Sequence, residues 1–276
     1  MQRSKKIGRK LVVGSWQSVV GSRQRAAPCV LALLLLPVII LLFSNFKEVP
    51  SRKTKTGSVK IIFKNTVSGI PLILDSAKYK NIFGEAFTVT KFRYYVSNIS
   101  LENKLNKQQE KESYHLVDAR DSNSLSFSYT VAEGKYSDLF FLLGVDSIRN
   151  CSGAQTGALD PMNDMFWTWN SGYVMAKLEG EAPSSNAMHR MEYHIGGYKA
   201  KENVVQNIRL HATTPITVTD GKETIITIET DISKWWQTID KISIAEDPVC
   251  TTPGSLAKRI AANYGNMFAI QSINNN

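Results

Sequence analysis

Between Gly157 and Tyr198 the chain gathers side chains that can handle a soft metal or a redox reaction. Five of its seven methionines (Met162, Met165, Met175, Met188, Met191), two of its four histidines (His189, His194) and two of its five tryptophans (Trp167, Trp169) fall in this stretch. Thioether sulfur and imidazole nitrogen suit copper, and the indoles beside them are oxidisable. The same residues have a plainer use. Methionine fills irregular gaps and tryptophan buries a large ring, so Met and Trp along a strand also fit core packing. An intact indole offers a donor and no lone pair, which makes it a poor ligand on its own.

Other chemistry is thinner. The segment Asp146 to Asp164 is long, glycine-bearing and poor in large apolar residues, as functional loops often are. Its Asp146, Asp160, Asn163 and Asp164 can offer oxygen to a hard cation such as calcium. Their spacing matches no EF-hand loop, and solvated turn carboxylates are the simpler account. The sequence holds no Cys-x-x-Cys-His, no His-Glu-x-x-His, no phosphate loop and no Gly-x-Ser-x-Gly elbow. His115, His189, His194 and His211 with abundant Ser and Asp leave a dispersed hydrolase triad formally open, yet nothing local marks a nucleophile. The chain therefore reads as a binding protein and not as an enzyme.

The formal net charge of +9 would ordinarily suggest nucleic acid or an anionic surface. Its location excludes nucleic acid. Residues 1–57 hold eleven of the 33 Lys and Arg and one acid, Glu48, of the 24, leaving 22 bases against 23 acids in the remainder. The basic excess belongs to a leader. No residue from Ala26 to Phe46 is charged, and the apolar run Val30–Phe43 follows Arg23 and Arg25. This pattern is an export signal or an uncleaved N-terminal membrane anchor. Pro37 and the short run favour a signal peptide; the lack of a small-x-small cleavage site favours an anchor. Cys29 precedes the apolar run, unlike a lipoprotein cysteine. In an oxidising compartment Cys151 and Cys250 are either a disulfide, closing a loop of about a hundred residues for roughly 3–5 kcal/mol, or two buried thiols.

These groups must be positioned by strands. Pro50 to Gly57 is a polar tether, and the domain is expected over 58–276. Val59–Phe63, Phe87–Leu101, Tyr114–Val117, Ser124–Val131, Tyr136–Val145, Met165–Leu178, Tyr193–Tyr198, Val204–Ala212, Thr214–Val218 and Ile225–Glu229 carry strand patterns. A bulge is expected near Tyr94 and Tyr95. Ser255–Phe268 spaces Leu256, Ile260 and Tyr264 helically, with Ser255 as cap. The fold class is mainly β: an antiparallel β-sandwich with long loops and a short C-terminal helix.

Four segments together resemble one family: Thr90-Lys-Phe-Arg-Tyr-Tyr-Val-Ser-Asn98, Leu143-Gly-Val-Asp146, Met165-Phe-Trp-Thr-Trp-Asn-Ser-Gly-Tyr173 and Tyr193-His-Ile-Gly196. They are similar to the MbnP-like family of exported copper-binding proteins, in its Bacteroidetes-type branch. The resemblance runs from Ser58 to the end and rests most on Phe-Trp-x-Trp-x-Ser-Gly-Tyr. It implies a periplasmic or cell-envelope β-sandwich that binds copper, with Cu(I) favoured over calcium. It also implies a tryptophan oxidised to kynurenine, whose aromatic amine can ligate, by a partner dihaem cytochrome c peroxidase or MauG-like enzyme. Carried over, Trp167 is the first choice for the modified position and metal ligand, Trp169 the second, and His194 a ligand. Where a copper-binding relative has a histidine two places after its modified tryptophan, this chain has Trp169; His115, on a strand, is the remaining histidine of choice, and His189 lies in a polar loop. The alternative is a non-catalytic exported interaction module without metal.

Overall fold

The computed structural model describes residues 54–111, 113–168 and 172–276. The leader and Trp169 lie outside these residues. Alternation decides most strands. In β1 (Thr56–Val67), Val59, Ile61 and Phe63 are buried and the residues between them are not. There follow β2 (Ile70–Pro71), β3 (Tyr79–Lys80), β4 (Ala86–Glu102), β5 (Lys107–Gln109), β6 (Tyr114–Asp118), β7 (Ser126–Ala132) and β8 (Gly134–Leu143). Beyond the long loop lie β9 (Phe166–Trp167), β10 (Gly172–Glu181), β11 (Arg190–Gly196), β12 (Gln206–Val218), β13 (Glu223–Asp231), β14 (Val249–Cys250) and β15 (Phe268–Asn275).

One sheet runs β15-β13-β1-β2, with β7 also on β1; the other runs β12-β8-β4-β10-β11-β14, with β3, β5 and β6 on β4 and β9 on β10. They face each other across an aromatic core. Phe63 meets Tyr94 and Phe141 of the opposite sheet at 5.9 and 6.4 Å between ring centroids, and Phe268 meets Phe141 at 5.0 Å. Trp235 and Trp236 are fully buried against Phe92 and Phe87. The expected mainly β sandwich with a short C-terminal helix is thus present, although its sheets are mixed. β1 pairs with β13, and β11 with β14, in parallel. Among the described residues no helix is long and apolar enough to cross a membrane.

Three further differences have physical causes. The irregularities of β4 fall between Val89 and Lys91 and between Ser97 and Ser100, where Asn98 adopts φ 53°, so they flank Tyr94 and Tyr95. The terminal helix ends at Tyr264, where Gly265 and Asn266 turn the chain, and Phe268 opens β15; its cap position is Gly254, so Ser255 caps nothing. Cys151 and Cys250 are not bridged. Cys151 is exposed at the end of a short helix in the long loop, whereas Cys250 is buried in β14 beside Tyr193, and burial pushes its thiol up to about 11. A thiol so protonated is a poor partner for exchange.

Candidate metal and redox site

The outer face of the second sheet carries two rows of charge. Strand register aligns Asp118 of β6, Arg93 of β4, Lys177 of β10 and His194 of β11, and beside them Lys91, Glu179 and Glu192. Directly opposed residues share a face, so these side chains meet. Nε2 of His194 lies 2.8 Å from Oε1 of Glu179 and 3.6 Å from Glu192. An ionised carboxylate only accepts, so Nε2 carries the proton; among the described residues Nδ1 has no hydrogen-bond partner. The hydrogen bond from His194, joined by Lys91, outweighs burial and holds the Glu179 carboxyl down at about 2. Lys177 is 3% exposed and donates to Asp164, both to its carboxylate at 2.9 Å and to its carbonyl. Burial lowers the Lys177 pKa, against the pull of Asp164.

Asp164 leads directly into the tryptophan hairpin. In β9, Trp167 pairs with Gly172 and Phe166 with Tyr173. The Trp167 ring folds down onto Gly196. A methyl group built on Gly196 would stand 2.5 Å from Cζ3 and 2.8 Å from Cη2 of that ring. His194 and Gly196 are two residues apart on β11, where Met191, Tyr193 and Ile195 point to the core. Period two therefore puts Trp167 and His194 on one face, with the Cα atoms of residues 194 and 196 roughly 7 Å apart. Tyr198 closes the hairpin base on the same face, its ring 3.2 Å from where a Cβ on Gly172, the partner of Trp167, would be.

Beyond this geometry, the MbnP family profile matches residues 56–252, well over half of the chain. The chain belongs to the MbnP family. Among solved structures, MbnP from Methylosinus trichosporium is similar over 68% of this chain and 80% of its own, at 15% sequence identity and a TM-score of 0.43. No curated protein sequence matches.

In this MbnP-family chain, the donor set is incomplete for copper as the described residues stand. They contain no group of three or more His, Cys, Asp or Glu side chains able to hold a metal ion. His194 supplies one nitrogen, and Trp167 an intact indole. His115 does not join them. It sits opposite Val96 on the core side of β6, stacks on Phe127 of the other sheet at 3.4 Å and bonds Glu110 at 2.7 Å. Two strands, β4 and β10, lie between it and β11, so about 14 Å of sheet separates the two histidines before their three-residue offset along the strands and the difference of face are added. His189 and His211 are exposed.

The methionines follow the packing alternative. Met165, Met175 and Met191 are buried, and Met175 Sδ accepts the Val145 N–H. The acidic loop residues are spent separately: Asp146 on Tyr114 and Arg149, Asp160 on capping the turn 161–163, Asn163 on Gly157, Ala158 and Arg93, and Asp164 on the lysines. Sequence reading missed Glu179 and Lys177; it took Asp164 only as an oxygen donor for a hard cation, and Gly196 only as part of the Tyr193–Gly196 segment. The signal was present as i, i+2 pairs on strands (Lys91/Arg93, Lys177/Glu179, Glu192/His194), which mark charge on one sheet face.

Proposed function

We propose that this protein is an exported, non-catalytic copper-binding member of the MbnP family. Copper is its cargo, and the site is completed by oxidation of a tryptophan of the 166–173 hairpin. What carries the reading is the juxtaposition of the Trp167 ring and His194 on one sheet face. Glu179 fixes the His194 ring and leaves Nδ1 as the lone-pair nitrogen, an arrangement that metal-binding histidines commonly use. Converting Trp167 to kynurenine would add an aromatic amine beside that imidazole, and two nitrogens suit Cu(I). The oxidant would come from a docked dihaem peroxidase. The leader would deliver the domain to the periplasm or cell envelope as a signal peptide or anchor. The absence of a ready donor set among the described residues favours one rival, a metal-free interaction module in which Trp167 only packs.

Coexpression of the full chain with a dihaem peroxidase tests this. The peptide containing Trp167 and Trp169 is expected to take the mass of a kynurenine, and the purified protein to retain copper that His194→Ala reduces. Unmodified tryptophans with copper retention indifferent to His194→Ala would leave the metal-free module.

A further inference from the structure

The two Trp167 atoms nearest Gly196, Cζ3 and Cη2, belong to the benzene half of the indole, at the edge opposite the pyrrole ring. Oxidation to kynurenine breaks only the Cγ–Cδ1 double bond of the pyrrole ring. Two equivalents of hydrogen peroxide each deliver one oxygen atom across that bond and leave as water, giving a ketone at Cγ and a formyl group on Nε1. Hydrolysis then releases formate and leaves the aryl amine. Every carbon of the benzene ring survives.

We infer that Gly196 is a ring seat: its missing side chain lets the sheet grip the half of Trp167 that oxidation leaves unchanged, presenting the pyrrole edge to the oxidant and afterwards holding the new amine beside His194. This deepens the proposed function and rests on it. The seat is tight on both sides, since a Cβ at position 196 would also come within 2.9 Å of the Tyr173 carbonyl oxygen. Trp167 is 8% exposed, and the hairpin entering the seat is pinned upstream by Asp164 on Lys177 and Lys91 at 2.9 and 3.1 Å. In this arrangement the benzene-ring contact and the clasp would turn the pyrrole edge away from Gly196. Gly196 is a positioning residue, since it acts through Trp167.

Labelling with 5-fluorotryptophan puts fluorine on Cζ3, so the contact can be read directly. In the full chain the Trp167 fluorine, assigned by its loss in Trp167→Phe, is expected to show an Overhauser contact to the Gly196 α protons. Gly196→Ala is expected to shift this resonance while those of Trp235 and Trp236 stay in place. In unlabelled protein coexpressed with the peroxidase, Gly196→Ala should lower kynurenine at position 167 by about tenfold or more, since small misplacements of a reacting group cost that much. If Gly196→Ala does not fold, Asp164→Asn, which loosens the clasp and adds no bulk, should lower the same yield. No Overhauser contact, or an unmoved Trp167 resonance in folded Gly196→Ala, overturns the seat; so does an undiminished yield in the folded variant. Wild-type protein that never forms kynurenine refutes the proposed function instead, and is told apart because the fluorine contact is still read.

Discussion

Lys177 sits at the centre of a charged lattice that would cost stability were any corner removed. Its ammonium is almost wholly buried, while its partner Asp164 is 59% exposed. Burial works to raise the Asp164 carboxyl, but hydrogen bonds from Lys177 and Lys91 outweigh it and hold the group below the usual carboxylate range. Removing Asp164 strands a buried cation, and Asp164→Ala is expected to destabilise by about 1–3 kcal/mol, less than for a fully buried pair because solvent already screens the carboxylate. Lys177→Met, which removes the charge and keeps the bulk, should stay within about 1 kcal/mol of wild type. Urea unfolding of the two variants measures both; equal losses would mean that the pair, and not the uncompensated charge, sets the cost. At this scale the sequence was informative about residue type and poor about neighbours. Trp167 and His194 stood out by chemistry, whereas Gly196 and Lys177 gain meaning only once β10 and β11 are placed side by side.

Among the elements, those with one wet face were legible. β1, β7 and β11 alternate in burial as they alternate in composition. β10 does not, because the 146–166 loop covers its outer face and seven of its ten residues are buried. β15 was hidden because apolar residues continue past Tyr264 at helical spacing, and only Gly265-Asn266 marks the break. The cysteines show how spacing misleads: two in one exported body suggested a bridge, but one lies on a loop helix facing solvent and the other in a strand at the far side of β11. A reductant is therefore expected to leave the melting temperature unchanged. Loss of a bridge closing a loop of that length would lower it by roughly 10 °C, a difference easily seen in a thermal scan.

Across the whole molecule, acid should act through the carboxylates that the fold holds ionised. Glu85, Asp146, Asp164 and Glu179 are all below their ordinary values; in the first three burial opposes the shift and hydrogen bonds prevail, and in Glu179 the bond from His194 leads. Depressed native values mean that the unfolded chain takes up protons first. The stabilisation is complete above the unfolded values, near 4.5 for Glu179, and drains away as pH falls toward about 2. Melting temperature should drop steeply over this window, and Glu179→Gln should show a shallower slope; an identical slope would assign acid sensitivity elsewhere.

The parallel pairing of β1 with β13 sets the order of assembly. Thr66 and Glu229, bonded through their side chains, are 163 residues apart, and Lys60 lies opposite Ile225. A nascent chain can pair β1 with β7 early, but the other edge of β1 stays open until β13 has been synthesised. Pairings this distant in sequence close late and slowly. Such a chain can be kept open while it is being made, and the β1–β13 pairing locks only once β13 has been synthesised.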